Sequence, residues 1–390
     1  MTFTLRPKVA PEKVPDTFNS MEEMVLGKHI GNNLLQWCQL LLSLLNRKRT
    51  FSGPFYVDLD ITERCNLKCP GCPYHSQIAT WGQPPRAPRD MDYDLILRIF
   101  KELRVLRTPE IILLGSGEPM LHQRFMEIVE DGKSLGFRLT VLTNGTQLHE
   151  TNVKKLIEAR LDRISVSLWD IGRDGYAATY GTSPELFDRI VHGLCCLHEI
   201  KKQARAKYPV TVIHFPISKN TVERVQEVAA FAVENNVNEL SFAPVFDTHE
   251  YAGLQLDAEQ IAGLVDTFHK LKTQLSTTQV AFVADKMVKR LELGHMPWQT
   301  MPCYVGLYHM KIKADGRVQP CCRCNVTLGN LHTQELSSVW NSKAYQQLRQ
   351  ETLSKAGLQQ FSKQCTCQYC SFVYNNYKIH RMARFLTPFG

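Results

Sequence analysis

FYVDLDITERCNLKCPGC, residues 55–72, sets a largely apolar run, FYVDLDI (55–61), directly ahead of three cysteines at 65, 69 and 72. The run is short, aromatic and β-branched, and reads as a strand. Outward from it, the same signal recurs at EIILLG (110–115), FRLTVLTNG (137–145), RISVSLW (163–169), VTVIHFPI (210–217) and ELSFAPV (239–245). Helical periodicity fills the gaps, at 93–106, 122–136, near 150–159, 184–203 and 221–236. Six βα repeats predict a parallel sheet with right-handed crossovers, an α/β fold curled into a partial (β/α)6 TIM-like barrel. In such a barrel the chemistry gathers at the C-terminal ends of the strands.

The pattern changes after Val245, to a helix near 257–275, a loose stretch to 302 and a cysteine-rich tail. Three units are expected: an N-terminal helical segment (1–50), the barrel (51–295) and the tail (296–390). In the first, Asn32, Gln36, Gln39, Ser43 and Asn46 form one polar stripe on a leucine-rich helix. Packing against the barrel is the favoured reading. The alternative is a peripheral membrane contact through residues 30–49, with Arg47, Lys48 and Arg49 at the headgroups.

Hydrophobic content of 44% and charged content of 22% exclude a disordered or fibrous chain. The net charge of +8 is scattered, so no nucleic-acid partner is expected. The start, MTFTLRPKVAPEKVPD, has no apolar run and is no secretory signal, which predicts a cytoplasmic protein. Residues 29–46 are too polar to cross a bilayer.

Thirteen cysteines in a chain without a signal point to metal or redox chemistry. Ten of them cluster, at 65, 69, 72, 303, 321, 322, 324, 365, 367 and 370; Cys38, Cys195 and Cys196 read as small core hydrophobes. Cys65, Cys69 and Cys72 offer three thiolates from one loop at a strand end. A four-iron cubane usually takes four, so three leave one iron open to a substrate or cofactor. Zinc would need a fourth ligand, for which His75 is the candidate.

The Cys-x3-Cys-x2-Cys spacing resembles the signature of the radical S-adenosylmethionine (SAM) superfamily, over roughly residues 55–245. The resemblance implies a [4Fe-4S] cluster chelated by the methionine end of S-adenosyl-L-methionine, reductive cleavage to a 5′-deoxyadenosyl radical, and hydrogen-atom abstraction from a substrate. It also implies a flavodoxin or ferredoxin-type reductant. The residue before the last cysteine is commonly aromatic in that signature; here it is Gly71, and Tyr74 stands as the substitute adenine contact or as a packing residue.

Gly115-Ser116-Gly117-Glu118-Pro119 follows the second strand. As a dinucleotide fingerprint it fails, because Met120 replaces the third glycine and Glu118 would repel a pyrophosphate. A carboxylate there welcomes an ammonium instead. By resemblance the stretch takes the methionine amino group through Gly115, Gly117 and Glu118, with Ser116 departing from the commonest form. Asn144, in Thr143-Asn144-Gly145, and Ser165 and Ser167, which share one strand face, are the remaining SAM-binding candidates.

In the tail, Cys303 and Cys321 flank LYHMKIKADGRVQP, a predicted hairpin turning at Asp315-Gly316, and Cys367 and Cys370 complete four thiolates. This resembles the SPASM extension or its shorter relative, twitch, and implies an auxiliary [4Fe-4S] cluster. A structural zinc is the competing reading, and Cys322, Cys324 and Cys365 stay unassigned.

Substrate contacts should come from strand ends not used by SAM. Trp169, Asp170 and Arg173 are candidates, as are Glu250 and Tyr251; Asp247 and His249 are the catalytic pair, as general base and acid. The expected substrate is a small molecule or carbohydrate, undergoing oxidation or epimerisation. The alternatives are a maturase of a peptide or protein and a non-catalytic electron carrier.

Overall fold

The computed structural model describes residues 30–76, 87–245, 253–293, 299–365, 367 and 370–386. Helix α1 (Ile30–Asn46) precedes the barrel, which is built from β1 (Tyr56–Asp60), α2 (Tyr93–Val105), β2 (Glu110–Leu114), α3 (Phe125–Ser134), β3 (Arg138–Thr143), α4 (Glu150–Glu158) and β4 (Arg163–Ser167). It continues through α5 (Arg173–Tyr180), α6 (Glu185–Gln203), β5 (Val210–Ile217), α7 (Val225–Glu234) and β6 (Glu239–Pro244). Adjacent strands from β1 to β6 pair in parallel and in order. Their near-continuous burial follows from helices covering the outer face. Helix α2 shows the local logic. Asp92 caps it by accepting from Leu95 N–H, and Leu95, Ile96, Ile99, Phe100 and Leu103 recur at helical spacing to form its buried stripe.

The stretch expected to be loose carries regular structure. Helix α8 (Ala258–Leu275), closed at its start by a capping box between Asp257 and Gln260, leads to β7 (Ala281–Phe282), which pairs parallel to β6. Helix α9 (Ala284–Leu293) follows, burying Met287, Val288 and Leu291. Strand β7 has two residues, too few for a periodic pattern to show itself.

Helix α10 (Val305–Tyr308) opens the tail. Strand β8 (His309–Ile312) then pairs parallel to β1, with Tyr56 opposite His309 and Asp58 opposite Lys311. Strand β9 (Arg317–Gln319) returns antiparallel across the expected Asp315-Gly316 turn, and β10 (Gly329–Asn330) lies beyond it. The sheet therefore runs β10-β9-β8-β1-β2-β3-β4-β5-β6-β7 and is not closed. Strands β8, β9 and β10 of the tail thus extend the barrel sheet.

Helices α11 (Leu336–Trp340), α12 (Lys343–Thr352), α13 (Lys355–Phe361) and α14 (Val373–Ala383) complete the chain. Glu102 of α2 accepts from Leu336 N–H, and Trp340 Nε1 donates to Ser52 O at 2.9 Å. The wholly buried Arg349 donates to the carbonyls of Gly306, Trp340 and Lys48.

Helix α1 rests mainly on this tail. Leu40 and Leu44 pack with Tyr304, Tyr308 and Ile379 as well as Phe55. Its stripe is partly reversed from expectation: Ser43 is buried, bonded to Gln39 O and Phe51 N–H, whereas Leu35, Leu42 and Leu45 are exposed. Among the described residues no helix is long and apolar enough to cross a membrane. Of the lone cysteines, Cys38 and Cys195 are exposed rather than in the core, while Cys196 is half-buried and packs against it.

Candidate active site at the mouth of the barrel

Cys65, Cys69 and Cys72 lie on the loop leaving β1, each half-buried. The loop closes on itself through Cys72 N–H to Cys69 O at 3.0 Å, and Tyr74 and His75 N–H groups point at Cys72 Sγ. Burial raises all three thiols, with Cys65 pushed up to about 11, and the neighbouring sulfurs raise Cys69 further. Thiols arranged to repel one another keep their protons until a metal supplies the missing positive charge. Among the described residues no three His, Cys, Asp or Glu groups converge as a single ion requires. Three thiols are one short of the four ligands a structural zinc takes, whereas a cubane with one open iron takes three. His75 is not the fourth ligand through Nε2, which donates to Ser116 O at 2.6 Å.

The turn after β2 is pressed against that loop. Glu118 N–H donates to Arg64 O at 2.7 Å, and a Cβ on Gly117 would stand 2.2 Å from the same oxygen. Gly117 is required by this approach; Gly115 faces Thr62 O more loosely. The Glu118 carboxylate accepts from Thr143 Oγ1 at 2.7 Å, Asn144 N–H at 2.6 Å and Met120 N–H at 3.2 Å. Burial nevertheless pushes it up to about 7, those three donors pulling the other way. A carboxylate has about four acceptor directions, so one stays available to an ammonium. Asn144 Nδ2 donates to Asn66 Oδ1 at 2.8 Å, tying the end of β3 to the cysteine loop. Ser165 and Ser167 share one face of β4.

Gly71 has a spatial explanation. A Cβ there would fall 2.1 Å from the Trp169 ring, so the indole following β4 occupies the space that a side chain at 71 would need. The Tyr74 hydroxyl accepts from Lys313 Nζ at 2.9 Å, and the ammonium stands 4.3 Å from its ring centre. Neither Trp169 as the occupant nor Lys313 was flagged by the sequence, because both contacts join distant segments.

Asp170 is paired to Arg224 and accepts from Thr179 Oγ1, and the exposed Arg173 pairs with Asp188. Asp247, His249, Glu250 and Tyr251 lie outside the described residues.

In the tail, Cys303, Cys367 and Cys370 line one cleft with Leu358, Val373 and Asn376. Burial pushes Cys303 up to about 11 and Cys370 up to about 12, and raises Cys321 and Cys367, with neighbouring sulfurs adding to it at the last three. Cys322, which spacing left unassigned, is among those neighbours of Cys321 and Cys370. Cys324 and Cys365 are joined to each other by a disulfide.

A family model for the radical SAM superfamily matches residues 59–250, and the SPASM model, an iron–sulfur cluster-binding domain, matches residues 303–371. The chain belongs to the radical SAM superfamily.

Members of this superfamily are enzymes, and its domains imply [4Fe-4S] clusters and SAM. Among curated radical SAM relatives, a tungsten-containing aldehyde ferredoxin oxidoreductase cofactor-modifying protein of Pyrococcus furiosus is 24% identical, over 74% of this chain and 82% of the relative. An AdoMet-dependent heme synthase of Methanosarcina barkeri is 24% identical, over 80% and 90%. A PqqA peptide cyclase of Xanthomonas euvesicatoria is 24% identical, over 74% of each. Of solved radical SAM structures, Streptococcus suis SuiB bound to S-adenosylmethionine superposes with a TM-score of 0.62 at 18% identity, covering 82% of this chain and 73% of SuiB. That likeness is one of fold.

Proposed function

We propose that this radical SAM enzyme modifies a peptide or protein substrate by hydrogen-atom abstraction. The chemical part rests on one observation, three thiols of a single loop standing against the Gly115–Glu118 turn at the barrel mouth. Cys65, Cys69 and Cys72 would hold three irons, and Tyr74, Gly115, Gly117, Glu118, Asn144, Ser165 and Ser167 would hold SAM. Bound there, the cluster and SAM supply an electron, carbon–sulfur cleavage and a hydrogen-abstracting adenosyl radical. The chain's own work is positional. Glu118, fixed by Thr143, Asn144 and Met120, offers its remaining acceptor direction to an ammonium. Asn144 holds that corner to the cysteine loop through Asn66. Cys303, Cys321, Cys367 and Cys370 would hold the auxiliary cluster, and Asp247 and His249 remain the proposed base and acid. We place this activity in the cytoplasm.

The substrate class is supported by the PqqA peptide cyclase among the relatives, which favours the maturase reading over the small-molecule or carbohydrate one. The heme synthase keeps a non-peptide substrate as the second reading.

Two measurements test the proposal. Anaerobically reconstituted chain should carry about eight irons, and Cys65/Cys69/Cys72→Ala should lose one of two cluster signals in electron paramagnetic resonance. The active chain should then be given SAM, a reductant and a perdeuterated cell extract split into peptide and low-mass fractions. Deuterium in the released 5′-deoxyadenosine with the peptide fraction supports the proposal; labelling only by the low-mass fraction overturns its substrate class.

A further inference from the structure

We infer that Lys313 is a positioning residue for the SAM site, an ammonium supplied by the tail that braces the cysteine loop and the Gly115–Glu118 turn against Asp60. Lys311 and Lys313 are two residues apart on β8 and its continuation, so both side chains leave on the same face, toward β1. Both are buried, as is Asp60. Burying an ammonium is costly unless each proton finds an acceptor. Lys313 has three protons and three acceptors: Asp60 Oδ2 at 3.0 Å, Tyr74 OH at 2.9 Å and Ser116 Oγ. Lys311 meets only one of these, Asp60, at 2.7 Å. Burial alone would raise Asp60, but the two lysines more than reverse it and hold its carboxyl below the usual range.

The acceptors of Lys313 show what it does. Tyr74 lies two residues beyond Cys72, and Ser116 is the middle of the Gly-Ser-Gly turn. Ser116 Oγ also donates to Asp60 Oδ2 at 2.9 Å, and Ser116 O accepts from His75. One side chain from beyond residue 300 thus fixes the distance between the two loops of the mouth. The departure at Ser116 has its reason here, since glycine would offer Lys313 no side-chain oxygen. With all three protons engaged, Lys313 is not a group that acts on substrate.

The inference rests on reading the Gly115–Glu118 turn as part of the SAM site. Its test is SAM affinity by equilibrium dialysis of the anaerobically reconstituted full chain. Lys313→Met should weaken SAM binding about tenfold, the size expected for losing charge-assisted hydrogen bonds, and Lys313→Arg should recover part of it. Ser116→Ala should weaken binding less, and the double variant should be no worse than Lys313→Met alone. Lys311→Met removes a buried charge from the same carboxylate but touches neither loop; it should lower the melting temperature and leave SAM affinity within about twofold. In the cluster-free chain, Lys313→Met should speed hydrogen exchange at 72–76 and 115–119. Unchanged affinity in Lys313→Met, or an equal loss in Lys311→Met, overturns the inference. Should Lys313→Met not fold, Ser116→Ala and Tyr74→Phe carry the test, and unchanged affinity in both overturns it. Failure of the wild-type chain to bind SAM would instead overturn the site assignment itself.

Discussion

A single missing side chain, that of Gly71, is matched by an indole 98 positions further along the chain. Gly71→Phe would drive a ring into Trp169, whose nearest atom lies 2.1 Å from the Cβ position. Overpacking of this kind costs about 1–3 kcal/mol. The Gly71→Phe chain should therefore melt lower than wild type, and Gly71→Phe with Trp169→Ala should recover most of the loss. Equal melting temperatures for Gly71→Phe and wild type would show that the two residues do not interlock. Gly117→Ala is the companion case, with backbone as the obstacle: a Cβ 2.2 Å from Arg64 O must part the two loops. SAM affinity in that variant should fall by at least about tenfold, as for a lost anchoring contact, measured by dialysis. The sequence exposed Gly71 and Ser116 as departures from a pattern. It could not name their partners, because Trp169 and Lys313 are joined to them by folding rather than by spacing.

Strands and helices follow the legible signals closely where an element is long. Strand β5 occupies the predicted 210–217 without adjustment, and β1 to β6 pair in the predicted order. Helix α5 and strand β7 escaped because eight and two residues give periodicity too little to work on. Burial adds information that pattern does not carry. Glu110, the first residue of β2, is buried, and burial pushes it up to about 7 against Arg138, Arg163 and Thr140. Unfolded, it titrates near 4.5. Between those values the folded chain holds the extra proton, so this group's contribution to stability falls as pH rises through about 4.5 to 7. Glu110→Gln should flatten that fall and be as stable as wild type or more so at pH 8, by up to about 3 kcal/mol. Denaturant titrations at pH 5 and pH 8 check it; a clear loss of stability at pH 8 would mean that the Arg138 pair outweighs desolvation.

On the scale of the whole molecule, the composition change near residue 295 marks where the cysteine chemistry begins, not where the sheet ends. Strand β8 lies against β1 on the side opposite β2, and Lys311 and Lys313 place their charges on Asp60 inside the barrel. A chain truncated after residue 295 would leave the apolar edge of β1 bare and Asp60 buried without its cations, a loss on the order of 3–5 kcal/mol for the broken pair alone. Such a chain should be insoluble or lack a cooperative melting transition by circular dichroism. A soluble, cooperatively melting product would show that the barrel is complete without its tail. The thiol groups were legible as two sets from spacing alone. The nearness of Cys322 to Cys370, 48 residues further along, was not, since only the folded chain brings them together.

The pairing of β1 with β8 also fixes an order of events during synthesis. Asp60 leaves the ribosome 251 residues ahead of Lys311, an interval of about 12–50 s at ordinary elongation rates. Throughout it the first strand can recruit β2 on one side only, and its other edge remains a template for stray strands. Chaperone supply and slowed translation should accordingly decide how much of this chain is recovered in native form.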